Sequence, residues 1–565
     1  MEGAGGDVIT ERRAYWLFIL FAFLTFCKLF LGINYHDEIQ YLGAAVMSSL
    51  GGKPFVNEPF IQQIADLYIS PIMELYVYLV GSFYGLIMFG RFLYWLIYLG
   101  IAIAFYKTLA DLFPENKIAA RLSSCLFFAY TLSLSTTVNY CSMGTGFLTL
   151  SFLCFLISGK RPGRRWSWLS GFCLAISMSV YATMILAAVL FVLVLAAGAY
   201  FNPKLRNGLA RRMTGVFAGA TVTSGIIFVW LLSYGWENLL DSFKFSASID
   251  HIGFDFARTW VIKMAYLPIH FSFFANGWLP AFCMVVASIM VRKKIPFELT
   301  LIAIYSYLTY ANWRPVYPVF SILLISLVSL FSFYSVLQFR KKSTAHYEIY
   351  LIVVTMILMA PVIAWISGAT FHSSPIVTLI STVFTLFAIA ASGRPSSQWS
   401  VVMTLFIFAV ITYTGCILDA PFMGETVVVK SGPAAGIVTW NERRDFVGAV
   451  EAGLAEAEKY GKTIFSPTYP MAYLQSRLKI HSRSVYAHSF ELPGMLEQYD
   501  AYFQKFGAPD IYFEVKMIPY IPGEPDDYTQ DIRYQGHMAL RQILSKYAKY
   551  RQLMDINYYT IWVKI

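Results

Sequence analysis

Asp37 and Glu38 stand together just after the first apolar run, with His36 before them, and Asp66 follows 29 residues later, shortly ahead of Pro71. Carboxylates at the edge of a membrane need water, a cation or a partner, because burying a lone charge is expensive. Residues 34–70, which hold all of these groups, form one long loop, and loops of that length are uncommon unless they carry function. Folded back on itself, this loop brings Asp37 and Asp66 into one cavity. One carboxylate then takes the proton from an attacking hydroxyl while the other positions a substrate. Two carboxylates that close raise each other's pKa, which suits a general base. The bland alternative is an acidic cluster that simply faces solvent.

The rest of the chain must position that loop, and its composition says how. Of 565 residues, 57% are hydrophobic and only 13% charged, against roughly 25% charged in an ordinary soluble domain. The mean hydropathy is +0.57. This is the composition of a polytopic α-helical membrane protein. A polar start ending in Arg12-Arg13 precedes an apolar run from Ala14 to Ile33, long enough to cross a core of roughly 30 Å. No small-residue cleavage site follows it, so it reads as a retained first span. Residues 71–84 read as a short interfacial stretch. Further spans fit near 86–108, 118–135, 142–158, 167–182, 184–200, 214–234, 271–291, 296–311, 316–338, 348–367, 375–391 and 399–418, about thirteen in all.

The net charge of +10 invites a nucleic-acid reading, but residues 1–418 carry +11 and residues 419–565 carry −1. The excess therefore sits among the spans, where Lys and Arg mark cytoplasmic loops. With the N-terminus inside, 20 basic residues fall in inner segments and 5 in short outer loops, namely Lys53, Lys244, Arg258, Lys263 and Arg314. An odd number of spans then places residues 419–565 outside. In that tail Thr439-Trp-Asn-Glu442 has capping-box spacing and predicts a helix to about Tyr460, ahead of Gly461. TIFSP, DIYFEV and YYTIWVKI read as short buried strands, with helices near 492–506 and 536–547. Strands alternating with helices make a small α/β domain. The expected organisation is a transmembrane domain over 1–418, with the loop 34–70 as its chemical part, and an extracytoplasmic domain over 419–565.

Other signatures are missing. The seven cysteines all lie in or beside apolar segments, with no C-x-x-C and no His partner at metal spacing. There is no P-loop, no H-E-x-x-H and no Gly-rich dinucleotide fingerprint, so ATP-driven transport and metalloprotease chemistry lack support. Asp526-Asp527 reads as a solvated turn, and His251 and His270 as packed or solvated side chains.

With its Asp37-Glu38 pair after the first span, its long loop and its second acid before a Pro-containing stretch, the chain resembles the GT-C glycosyltransferases. It is most similar to the protein O-mannosyltransferases and the lipid A aminoarabinose transferase group, in their bacterial branch. Gly90-Arg91-Phe92, Asn312-Trp-Arg-Pro-Val-Tyr-Pro318 and Gly432-Pro-Ala-Ala-Gly436 add to the likeness. The resemblance implies a GT-C fold in the cell (inner or plasma) membrane, a polyisoprenyl-phosphate-linked sugar as donor and transfer with inversion. It makes Asp37 the catalytic base and Asp66 the second acidic site residue, with Glu38 beside them. Some relatives follow the second acid with a Lys on the donor phosphate; here Leu67 stands there.

A lipid-phosphate leaving group gains charge as its bond breaks, so cations belong beside it. Arg258, Arg314 and Lys263 are the candidates, each with the alternative of snorkelling to lipid headgroups. His36 and Tyr317 are candidates for the substrate cavity, Tyr317 equally for the interfacial aromatic belt. Direct displacement requires no cofactor and does not demand a metal. The acceptor is a glycan, lipid or protein. The rival readings are a secondary transporter or lipid-linked-sugar flippase, and an O-antigen polymerase or ligase.

Overall fold

The structure is a computed structural model that describes residues 11–34, 37–134, 137–161, 163–249, 346–352, 354–356, 425–486, 495–516 and 532–565. The spans expected near 271–338 and 375–418, and most of that near 348–367, lie outside the described residues. So do His36, His251, Arg258, Lys263, His270, Arg314, Tyr317 and Asp526-Asp527.

Ten helices precede that gap: α1 (Glu11–Lys28), α2 (Asp37–Ala45), α3 (Ile64–Val80), α4 (Leu86–Leu112), α5 (Lys117–Leu134), α6 (Tyr140–Lys160), α7 (Arg164–Val180), α8 (Met184–Phe201), α9 (Pro203–Leu232) and α10 (Trp236–Ile249). Within α4, α6, α8 and α9 lie stretches long and apolar enough to cross a membrane, where a helix is favoured because it satisfies its own backbone. Their ends follow local signals. Asn139 caps α6, accepting from the Ser142 amide at 2.8 Å, while the Ser142 hydroxyl accepts from the Asn139 amide at 3.1 Å. Gly81 and Gly85, both at positive φ, close α3 and open α4, as residues without a Cβ do most readily. Two expectations shift. The loop 34–70 is not irregular, since α2 forms inside it, and helix α3 starts at Ile64 and runs through Pro71 instead of beginning after it.

Helices α7 and α9 approach with small residues between them. A Cβ on Gly171 would lie 2.0 Å from the Val216 carbonyl oxygen, and one on Gly219 would lie 2.3 Å from that of Trp168. Gly215 faces Ser167 in the same seam. Gly215 and Gly219 are thus a G-x-x-x-G pair that lets two backbones meet where side chains cannot intervene.

The C-terminal region is α/β. A two-stranded ribbon pairs β1 (Thr426–Val428) with β2 (Val438–Trp440). A five-stranded sheet follows in the order β4-β3-β5-β7-β6, made of β3 (Thr463–Phe465), β4 (Lys479–Ile480), β5 (Ile511–Val515), β6 (Tyr550–Asp555) and β7 (Tyr559–Lys564). Strands β3, β4 and β5 run parallel, while β7 is antiparallel to both β5 and β6. Every residue of β5 is buried, as its unbroken IYFEV run requires of a central strand. Helices α11 (Asn441–Ala457), α12 (Met471–Gln475), α13 (Met495–Phe506) and α14 (Ile532–Ser545) complete the region.

The capping box expected at Thr439 does not form. Thr439 is committed to β2, opposite Val427, and α11 starts at Asn441 with Trp440 as N-cap and no side-chain cap bond. It ends at Ala457, three residues early, in a turn leading to Gly461.

Gly171→Val should force α7 from α9 and cost about 1–3 kcal/mol or more. The fluorescence-monitored thermal midpoint of the protein in detergent should fall clearly. Gly225→Ala, on α9 with nothing within 4 Å among the described residues, should leave it unchanged.

Candidate functional site

The chain between α1 and Asp37 is held by a buried arginine. Arg91, in the second turn of α4, donates from Nε to Glu38 Oε1 at 2.7 Å and from Nη2 to Glu38 Oε2 at 2.6 Å. Its remaining donors go to main-chain carbonyls: Nη1 to Leu29 at 2.8 Å and Leu31 at 3.2 Å, Nη2 to Gly32 at 2.8 Å. Arg91 is 1% and Glu38 2% exposed. The planar guanidinium fork matches this set, which a lysine cannot. Gly32, at φ 71°, makes the turn that offers these carbonyls. Asp37 is the first residue of α2, adjoining Glu38, so the backbone that carries Asp37 is fixed by the clamp.

The same turn is held from its other side by the C-terminal region. The Gly32 amide donates to the Val438 carbonyl at 2.9 Å, the Val438 amide to Phe30 at 2.7 Å, and Arg443 Nη1 to Ile33 at 3.2 Å. The turn between β1 and β2, bounded by Gly432 and Gly436 at positive φ, also caps α4: the amides of Gly85 and Ile87 donate to the carbonyls of Gly432 and Pro433 at 3.0 and 3.2 Å. These are amides that a helix start leaves without partners of its own.

Asp66 lies in the first turn of α3 and is 2% exposed. Its Oδ1 accepts no hydrogen bond among the described residues. Burial, with the nearby Glu58 charge as the second cause, pushes its carboxyl well above the usual range. Around the start of α3, Tyr68 bonds Ser179 at 3.0 Å and packs on Trp230. Phe55 meets Tyr234 and Phe60 meets Phe245 of α10. Lys244 is exposed on that helix.

Glu58 is 1% exposed, and burial raises its carboxyl to about 7. Opposing that rise, it accepts from the Val485 amide at 3.0 Å, the Ser484 hydroxyl at 3.0 Å and the Phe60 amide at 3.3 Å, with the Arg483 charge nearby. Arg483 Nη1 donates to the carbonyls of Phe55 and Val56, both at 2.9 Å. The segment after β4 therefore lies across the loop: the Ile480 amide donates to Leu50 at 2.9 Å, and a Cβ on Gly43 of α2 would stand 2.8 Å from a Val485 methyl.

Of the residues expected from sequence, Asp37, Glu38 and Asp66 fall in one region of the fold, on helices α2 and α3 that pack together. Arg91, Glu58 and Arg483 were not singled out. Arg91 had a signal, a cation inside an apolar span. Glu58 was one acid among several in the loop, and Arg483 had none. Among the described residues no three His, Cys, Asp or Glu side chains are grouped to hold a metal ion.

No family model matches the chain, and no curated protein matches it. Among solved structures it is similar to the crystal structure of ArnT from Cupriavidus metallidurans bound to undecaprenyl phosphate, with 12% identity, 98% of each chain covered and a TM-score of 0.41.

Arg91→Leu leaves Glu38 buried without its cation and should cost about 3–5 kcal/mol, read as a loss of folded protein in detergent. Arg91→Lys should fall between that variant and the wild type; a wild-type midpoint for Arg91→Leu would contradict the clamp. A second expectation concerns pH. Glu58 binds its proton more tightly when folded, so its contribution is fully present below pH 4.5 and is lost as pH rises through about 7. The thermal midpoint should decline across that window, and Glu58→Gln should flatten the decline.

Proposed function

We propose that this chain is an integral-membrane glycosyltransferase of the GT-C class, taking a sugar from a polyisoprenyl-phosphate donor to an acceptor hydroxyl on the extracytoplasmic side. The N-terminus is cytoplasmic in this reading, and residues 419–565 lie with the site. The observation that carries it is the built frame around two acids. A buried Arg91–Glu38 pair fixes the turn into Asp37, and Asp66 is buried in the same loop with an oxygen that takes no hydrogen bond among the described residues. Buried polar atoms without a partner are rare and call for an explanation, and a substrate hydroxyl supplies one.

The acceptor oxygen attacks the anomeric carbon as the bond from that carbon to the phosphate oxygen breaks, with inversion. The acceptor proton goes to Asp37, and the lipid phosphate leaves with the bonding pair. Asp66, held protonated to higher pH than an ordinary aspartic acid, donates a hydrogen bond to a substrate oxygen. Glu38 acts through position: with both oxygens held by Arg91 it orients the turn that presents Asp37. Arg258, Arg314 and Lys263 neutralise the departing phosphate, and His36 and Tyr317 line the cavity, on the strength of their places in the sequence. A one-step displacement forms no covalent enzyme intermediate and requires no resident metal.

The test is release of polyisoprenyl phosphate by purified protein from a panel of radiolabelled polyisoprenyl-phosphate sugars, hexose and pentose. Asp37→Asn keeps the size and removes the base, and should lower the rate by about 10²–10⁴-fold with an unchanged thermal midpoint. Equal rates in the two proteins would remove Asp37 as the base.

A further inference from the structure

We propose that Glu58 is a positioning residue through which the C-terminal domain acts on Asp66: Ser484 and Val485 hold the Glu58 carboxyl where it neighbours Asp66 and governs that residue's readiness to give up its proton. The inference rests on the glycosyltransferase reading for its consequence and on the geometry for its existence.

The link is built from both sides. Gln63, the N-cap of α3, stands three residues before Asp66 and donates from Nε2 to the Glu58 carbonyl at 2.5 Å and to that of Phe60 at 3.0 Å. Its Oε1 accepts from the Phe55 amide at 3.1 Å. The main chain at Glu58 is thereby tied to the start of Asp66's helix. The Glu58 side chain points the other way in bonding, into Ser484 and Val485, which lie 426 and 427 residues on in sequence. Asn57 repeats the pattern next door, donating from Nδ2 to the Ser482 carbonyl at 2.8 Å and the Tyr502 hydroxyl at 2.9 Å. A segment that only covered the loop would not need to seat a buried acid on its own amide and hydroxyl.

The charges around Glu58 are few. Arg483, from the segment after β4, opposes its protonation; Asp241 of α10 faces Arg483. Tyr473 of α12 and Tyr499 of α13 feel the Glu58 charge, while Tyr502 of α13 lies near Arg483. Burial holds these three phenols neutral well above the range in which Glu58 titrates. Asp66 is thus the acid that feels Glu58 most directly, and like charges disfavour each other. While Glu58 is ionised, Asp66 keeps its proton; a neutral group at position 58 lets that proton leave at lower pH.

The experiment reads Asp66 directly and then through turnover, using the full chain. The carboxyl stretch of Asp66, isolated by infrared difference against Asp66→Asn, is titrated in wild type, Glu58→Gln and Ser484→Ala. Glu58→Gln should move the Asp66 midpoint down by about one pH unit or more. Ser484→Ala removes a donor that favours the Glu58 anion and should move it the same way by less. The limb of the transfer-rate pH profile that disappears in Asp66→Asn should shift in parallel, with Glu58→Asp restoring the wild-type position in part. An unmoved midpoint in both variants overturns the inference, and Ser484→Ala decides it should Glu58→Gln fail to fold. A protein that shows the infrared shift but transfers no sugar would leave this coupling standing and remove the glycosyltransferase reading instead.

Discussion

A guanidinium in the second turn of an apolar helix must be given acceptors by whatever packs against it, because neither lipid nor a dry helix interface will solvate it. Arg91 is answered by one carboxylate and three main-chain carbonyls, all drawn from residues 29–38. The requirement works in both directions. Glu38 cannot be buried without Arg91, and the carbonyls of the turn after α1 are left without these bonds if Arg91 is absent. The geometry of the turn, and with it the start of α2 at Asp37, follows from satisfying that one cation.

The C-terminal domain enters the site through its backbone as much as through its side chains. It forms a parallel bridge at Leu31 and Val438, caps α4 with two carbonyls, and pairs Ile480 with Leu50. Main-chain bonds of this kind fix position without tolerating sliding, since a shift of one residue breaks the whole set. The domain and the loop 34–70 therefore behave as one packed unit, which is why buried acids of the loop sit on amides and hydroxyls contributed by residues more than four hundred positions away.

Two helices in the membrane part are held by a different device. Gly171, Gly215 and Gly219 leave no room for a Cβ between α7 and α9, so contact there is backbone to backbone. In lipid, where apolar side chains gain little from leaving one apolar surroundings for another, such close approach is a main source of helix association. Ser179, at the end of α7, and Trp230, near the end of α9, then meet Tyr68 beside Asp66, so the tight seam ends at the candidate site.

Much of the described helical framework was legible in the sequence. The starts and ends of α5, α6, α7 and α8 fall within a few residues of the apolar runs, because a span of about twenty residues that bonds only to itself is a local matter. Charge at the membrane edge likewise drew attention to Asp37 and Asp66, since an acid there is costly wherever the chain folds. What the sequence could not decide is who answers each buried charge. Glu38 and Arg91 are 53 residues apart, Glu58 and Ser484 are 426 apart, and neither pair has a spacing or periodicity that a local rule detects. Thr439 makes the same point from the opposite side: its spacing to Glu442 suits a helix cap, yet pairing with Val427 claims it for a strand. Local propensity is worth about a kilocalorie per mole at such a position, whereas an unpaired buried charge costs several. Where the two compete, tertiary partners determine the outcome, and they exist only once the chain has folded.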